Sequence, residues 1–203
     1  MDRRTFLGTS AALSVLATLP QSQLLAATQP HLKLLILGGT RFIGPHVVEL
    51  ARSRGHKVTL FNRGKTNVGR VTGVEVLQGD RNGQLQALEG RKWDAVLDTS
   101  AFVPRIVKLS AELLKDSVSH YVYVSSISAY ASFATANDEN SPLGKLADES
   151  IEKVDENTYG PLKALCEQTA ERTMSSAFFC RTKRARCRAS QACSPRAATT
   201  SSH

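Results

Sequence analysis

Between Leu32 and Met174 the chain alternates two hydrophobic patterns. An unbroken apolar run follows Lys33 and ends at Leu37, as expected of a strand covered on both faces. Glycines interrupt it at once. The stretch FIGPHVVELARSRG then places Ile43, Val47, Val48, Leu50 and Ala51 at helical spacings, with Pro45 in a first turn and Gly55 as the C-cap. KVTLFNRG is β-rich again, which completes a strand-turn-helix-strand unit of about thirty residues.

The alternation continues. VEVLQGD from Val74, WDAVLDTS from Trp93 and HYVYVSS from His120 read as strands, and PRIVKLSAELLKDS lines up Ile106, Val107, Leu109, Leu113 and Leu114 along one side of a helix. A last helix is expected from near Thr158 through YGPLKALCEQTAERTM, with Pro161 in its first turn. Buried strands alternating with helices predict an α/β fold, a Rossmann-type doubly wound parallel sheet. The long polar, acidic stretch from Ala131 to Thr158 reads as a surface excursion.

The formal charge of +8 raises the question of nucleic acid, but its distribution answers it. From His31 to Met174 there are 18 lysine and arginine residues against 17 aspartate and glutamate residues, so the folded part is near neutral. The excess is at the ends. MDRRTFLGTSAALSVLATLP opens with Arg3-Arg4, followed by an apolar run of about 14 residues, shorter than the roughly 20 that span a bilayer. Residues 1–30 therefore read as an export signal that resembles the twin-arginine type, implying a periplasmic or otherwise exported protein. Ala26 or Ala27 offers a cleavage point but no clean Ala-x-Ala triplet is present, which leaves an uncleaved membrane anchor open.

At the other end, residues 175–203 read as a basic irregular tail rich in Arg, Ser, Ala and Cys. Cys180, Cys187 and Cys193 match no zinc spacing, so no metal site is expected. The loss of periodicity near Met174 suggests a shifted reading frame, with the sheet left short of its last strand and incomplete at its C-terminal end.

Candidate chemistry clusters at two places. In LGGTRFIG, Gly38 and Gly44 occupy the outer positions of a Gly-x-x-Gly-x-x-Gly nucleotide loop, and Arg41 replaces the middle glycine. Downstream, Tyr159 and Lys163 lie one helical turn apart, where an ammonium within about 4–6 Å lowers a phenol's pKa by roughly 1–3 units. Alone, the pair reads first as a packed tyrosine and a solvated lysine. It follows a strand that ends in Ser125 and Ser126, hydroxyls at the carboxyl edge of the sheet, where ligands bind.

Loop, serines and tyrosine-lysine pair, in this order, resemble the extended short-chain dehydrogenase/reductase family, in particular its NAD(P)-dependent epimerase/dehydratase group, over about Leu32 to Met174. The resemblance implies a Ser-Tyr-Lys triad. Ser126 holds the substrate oxygen, Tyr159 moves the proton, and Lys163 tunes the tyrosine and bonds the nicotinamide ribose. Ser126 is preferred over Ser125 because Tyr130 aligns with the tyrosine usually found four residues after the family's serine. The resemblance also implies cofactor contacts from Gly38, Thr40, Arg41, Phe42, Ile43 and Gly44, from Asp80 to adenine, and from Thr99, Ser100 and Ala101.

Two departures bear on the cofactor. A branch that includes chloroplast stem-loop RNA-binding proteins resembles the GGTRFIG form, and Arg41 can offer its guanidinium to phosphate. The second strand ends in Asn62-Arg63 where NAD-preferring members carry an acid, so NAD(H) and NADP(H) both remain candidates. The expected partner is a small-molecule substrate, a sugar or nucleotide sugar, and a homodimer is left open. The alternative is a non-catalytic nucleotide- or RNA-binding protein on the same fold, against which the near-neutral core counts. Without a sixth strand and substrate domain, weak cofactor affinity and poor or absent turnover are expected.

Overall fold

The computed structural model describes residues 30–67, 69–174 and, as backbone, 178–182. The expected export signal lies outside the described residues but for Pro30. The compact unit that carries the sheet begins at Leu32.

Strands β1 (Lys33–Leu37), β2 (Lys57–Asn62), β3 (Glu75–Gln78), β4 (Trp93–Asp98), β5 (Val118–Val124) and β6 (Phe178–Thr182) form one sheet in the order β3-β2-β1-β4-β5-β6. Every pairing is parallel. The α-helices among the described residues are α1 (Gly44–Ser53), α2 (Pro104–Leu114) and α3 (Tyr159–Thr173). Because all six strands run the same way, the residues after Leu37, Asn62, Gln78, Asp98 and Val124 emerge along one edge. That edge carries the site.

The two-residue period of a strand explains both layers. Leu35 and Leu37 of β1 join Tyr121 and Tyr123 of β5, Val107, Ala111 and Leu114 of α2, and Cys166, Ala170 and Met174 of α3 in one core. Ile36, between them, joins Val48 and Ala51 of α1 with Val58 and Leu60 of β2 in the other. Each fully buried leucine or isoleucine contributes about 1.5–3 kcal/mol.

The strands and helices read from the sequence are present, with three corrections. Leu50 is half exposed and not on the packed side of α1, where Val48 and Ala51 do the packing. On α2 the packed side includes Ser110, fully buried, a position that hydrophobic periodicity passes over. Most consequential, the sheet has a sixth strand. Phe178–Thr182 pairs with β5 in the register His120↔Phe178 to Val124↔Thr182, so the irregular tail expected from residue 175 begins no earlier than 183, outside the described residues. Five residues with an apolar start, among serines and arginines, are too few to show a period.

Residues 131–158 form the expected excursion, without helix or strand apart from one antiparallel bridge between Tyr130 and Leu143. Among the described residues no helix is long and apolar enough to cross a membrane, and no group of side chains could hold a metal ion.

Candidate functional site

The loop between β1 and α1 is built around close backbone approach. Gly38 adopts a φ of 98° and Gly39 one of 83°, values that glycine alone reaches without strain. The Gly38 N–H donates to Phe61 O at 2.8 Å, and a β-carbon on Gly38 would meet Thr99 Oγ1 at 2.8 Å. A β-carbon on Gly44 would come within 2.5 Å of the Gly39 carbonyl carbon, so the first residue of α1 rests directly on the turn. Gly39 was not among the residues singled out from the sequence. The Gly-Gly doublet was the available signal.

Arg41 and Phe42 face solvent, Phe42 with a φ of 51° and 89% exposure. Arg41 adds its carbonyl to the turn by accepting the Gly44 N–H at 2.9 Å, Thr40 accepts Asn67 Nδ2 at 2.8 Å, and Ile43 is the N-cap of α1. The arginine at the middle position thus serves the turn through its backbone, with its side chain exposed. Thr99 and Ser100, after β4, each donate a hydroxyl to Leu37 O, at 2.9 and 3.2 Å, and Gly39 N–H donates to Thr99 Oγ1 at 3.3 Å.

Along the same edge, Asn62 ends β2 with its Oδ1 accepting the Gly64 N–H at 2.8 Å, and Arg63 is exposed beside it. Asp80 accepts the Asn82 N–H at 3.0 Å, which fixes the turn after β3.

The second cluster gathers at the end of β5. Ser125 Oγ donates to Glu167 of α3, whose side chain is fully buried, whereas Ser126 caps a 3₁₀ turn over Ile127–Ala129 by accepting the Ser128 N–H at 3.1 Å. Tyr159 opens α3, its ring 6.2 Å from that of Phe102. Lys163 is 3% exposed, so the solvated-lysine alternative fails. Its Nζ donates to Val124 O at 2.7 Å and Ala101 O at 3.0 Å, and lies 4.3 Å from the centre of the Tyr123 ring and 5.5 Å from that of Phe102. Burial lowers its pKa, and the carboxylates of Asp98 and Glu167 pull the other way.

These residues fit a dinucleotide. A turn of positive-φ glycines that excludes any β-carbon, leading into the N-terminus of a ten-residue helix, offers backbone N–H groups to a pyrophosphate. Thr99, Ser100 and Ala101 connect that turn to Lys163 through Leu37 O and Ala101 O. Arg81, Asp98 and Phe102 belong to the same neighbourhood and were missed. Two open clefts, lined by Lys33, Lys57, Lys92 and Trp93, lie instead at the amino edge of the sheet.

Comparison with known proteins agrees with this geometry. Residues 34–184 match the NAD dependent epimerase/dehydratase family. Over 127 residues the chain is 30% identical to chloroplast stem-loop binding protein of 41 kDa b from Arabidopsis thaliana, covering 55% of this chain and 33% of that protein. Among solved structures, the Bordetella bronchiseptica enzyme WbmG in complex with NAD is similar at a TM-score of 0.61 and 19% identity, over 78% of this chain and 55% of that one. The UDP-Glc/GlcNAc 4-epimerase of Campylobacter jejuni is similar at 0.58 and 18%, over 73% and 52%. The chain thus spans a third of the curated relative and about half of these solved chains. With its doubly wound sheet, its glycine turn and a family match that reaches past β6, the chain belongs to the NAD dependent epimerase/dehydratase family.

Proposed function

We propose that the protein is a NAD-dependent epimerase/dehydratase or oxidoreductase that acts on a carbinol of a sugar or nucleotide sugar through Ser126, Tyr159 and Lys163. The observation that carries this reading is the burial of Lys163 between Val124 O and Ala101 O, one helical turn from Tyr159. An ammonium in that place serves a site and not the solvent. Relatives of the same fold described as nucleotide-sugar 4-epimerases support the substrate class.

NAD, when bound, supplies a hydride acceptor. Backbone N–H groups of Thr40, Arg41, Phe42 and Ile43 would hold its pyrophosphate across a turn shaped by Gly38, Gly39 and Gly44, whose own N–H groups bond within the protein, and Asp80 with Thr99, Ser100 and Ala101 would line the rest. Ser126 Oγ orients the substrate hydroxyl by hydrogen bonding, and Tyr159 Oη takes the hydroxyl proton as the carbinol carbon gives up its hydride. The bond of Ser125 to Glu167 favours Ser126 for the role. Lys163 contributes a positive charge held at Val124 O and Ala101 O, one helical turn from the tyrosine. The test is Tyr159→Phe in the full chain with UDP-glucose. NAD affinity is expected to be intact and reduction of the cofactor lost, and undiminished turnover refutes the assignment.

The relative named for stem-loop binding favours a second reading, a nucleotide fold turned to RNA. A salt-dependent shift of a stem-loop RNA by the purified chain, with no turnover on any nucleotide sugar, is the result that selects it.

A further inference from the structure

Arg81 follows Asp80 in the turn after β3, and its guanidinium is directed into the protein instead of toward water. The residue is 8% exposed and Asp98, the last residue of β4, is fully buried. The two form a fork, Nη1 to Oδ1 at 2.7 Å and Nη2 to Oδ2 at 2.8 Å. Nη2 also donates to Ser110 Oγ of α2 at 2.6 Å, and Nη1 to Ser100 Oγ at 3.4 Å. Asp98 accepts two more bonds, from Ser100 N–H at 3.2 Å and Tyr121 Oη at 2.7 Å. Burial opposes the guanidinium's charge, but the Asp98 carboxylate beside it prevails and holds the Arg81 pKa above the ordinary arginine value.

A buried ion pair is a poor device for stability alone, since apolar residues of similar volume in its place are often neutral or stabilising. What it supplies is direction. Asp98 orients Ser100, Ser100 and Thr99 hold the glycine turn through Leu37 O, and Ala101 O takes the Lys163 ammonium. Arg81 joins this run to the turn that carries Asp80.

We propose that Arg81 is a positioning residue of the dinucleotide site, its fork to Asp98 setting the Asp80 turn and the Thr99–Ala101 segment at a fixed separation. The two ends of the cofactor cleft then share one anchor. The inference rests on the cofactor reading above, and it concerns cofactor affinity, not the chemical step.

The experiment compares NAD titration with thermal unfolding in the full chain. Arg81→Met/Asp98→Leu/Tyr121→Phe replaces the pair and the hydroxyl bonded to it by apolar groups. Its Tm is expected to equal or exceed that of the natural chain while the NAD dissociation constant rises about tenfold or more, the effect of one lost well-aligned hydrogen bond at the cleft. A purely structural role predicts that restored Tm brings restored affinity, and that result overturns the proposal. Arg81→Lys keeps the charge without the fork. Below its Tm it should bind NAD more weakly than the natural chain, and if the triple variant does not fold, unchanged affinity here overturns the proposal instead. Failure of the natural chain to bind NAD overturns the cofactor reading and this inference with it.

Discussion

The α-carbon of Gly160, the second residue of α3, lies against the carbonyl oxygen of Ser128 so closely that a β-carbon there would overlap it. This contact joins the turn capped by Ser126 to the helix opened by Tyr159. It therefore constrains how the backbone that carries Ser126 meets the backbone that carries Tyr159. Gly160→Ala is expected to cost about 1–3 kcal/mol in urea unfolding, the usual range for overpacking. Turnover should fall further than stability does, because the strain is relieved by separating Tyr159 from Ser126.

Adjacent serines are expected to behave differently. Ser126→Ala should leave NAD affinity intact and lower kcat, with a stability loss limited to the cap of the 3₁₀ turn. Ser125→Ala removes a hydrogen bond to the buried carboxyl group of Glu167 and should destabilise by about 1–3 kcal/mol. Equal effects of the two on kcat at a temperature where both variants are folded would reverse the assignment.

How far the sequence carries the reader can be seen at these same residues. The placement of Tyr159, Lys163 and the glycine turn was legible because it depends on spacing within one element. Arg81 and Asp98 were not, because they lie seventeen positions apart, and nothing in a local pattern distinguishes an arginine directed inward from one in solvent. Gly160 passed as an unremarkable helix residue, since its neighbour Ser128 is distant in the chain. β6 was lost for the opposite reason: the apolar signal of Phe178, Phe179 and Cys180 was present, but the basic residues after it outweighed it.

Lys163 predicts a pH dependence of stability. Burial lowers its pKa in the folded chain below the ordinary lysine value of about 10.4. Between those two values the unfolded chain binds more protons than the folded one, so this group's contribution becomes more favourable as pH rises through that window. Below the folded pKa the lysine is charged in both states and its full penalty applies. The free energy of unfolding of the natural chain relative to Lys163→Met, measured in urea, should therefore increase as pH approaches about 10.4. A flat difference would contradict it.

Arg63 predicts a cofactor preference. It is exposed beside Asn62 at the end of β2, and no acidic residue stands at that place to oppose a 2′-phosphate. Arg63→Ser is expected to weaken NADPH relative to NADH by about tenfold, the size of one charge-assisted hydrogen bond. Equal NADH and NADPH dissociation constants in the natural chain would remove the argument.

The strand order has a consequence for how the chain folds. β1 is first in sequence and central in space, with Leu34 beside Val58 of β2 on one side and beside Ala95 of β4 on the other. As synthesis proceeds, it waits for the second neighbour until β4 has emerged, and a loop of that length must be closed before any contact rewards it. Folding should accordingly be slow for a chain of this size. The strand that ends the wait finishes in Asp98, so the middle of the sheet and the partner of Arg81 arrive together.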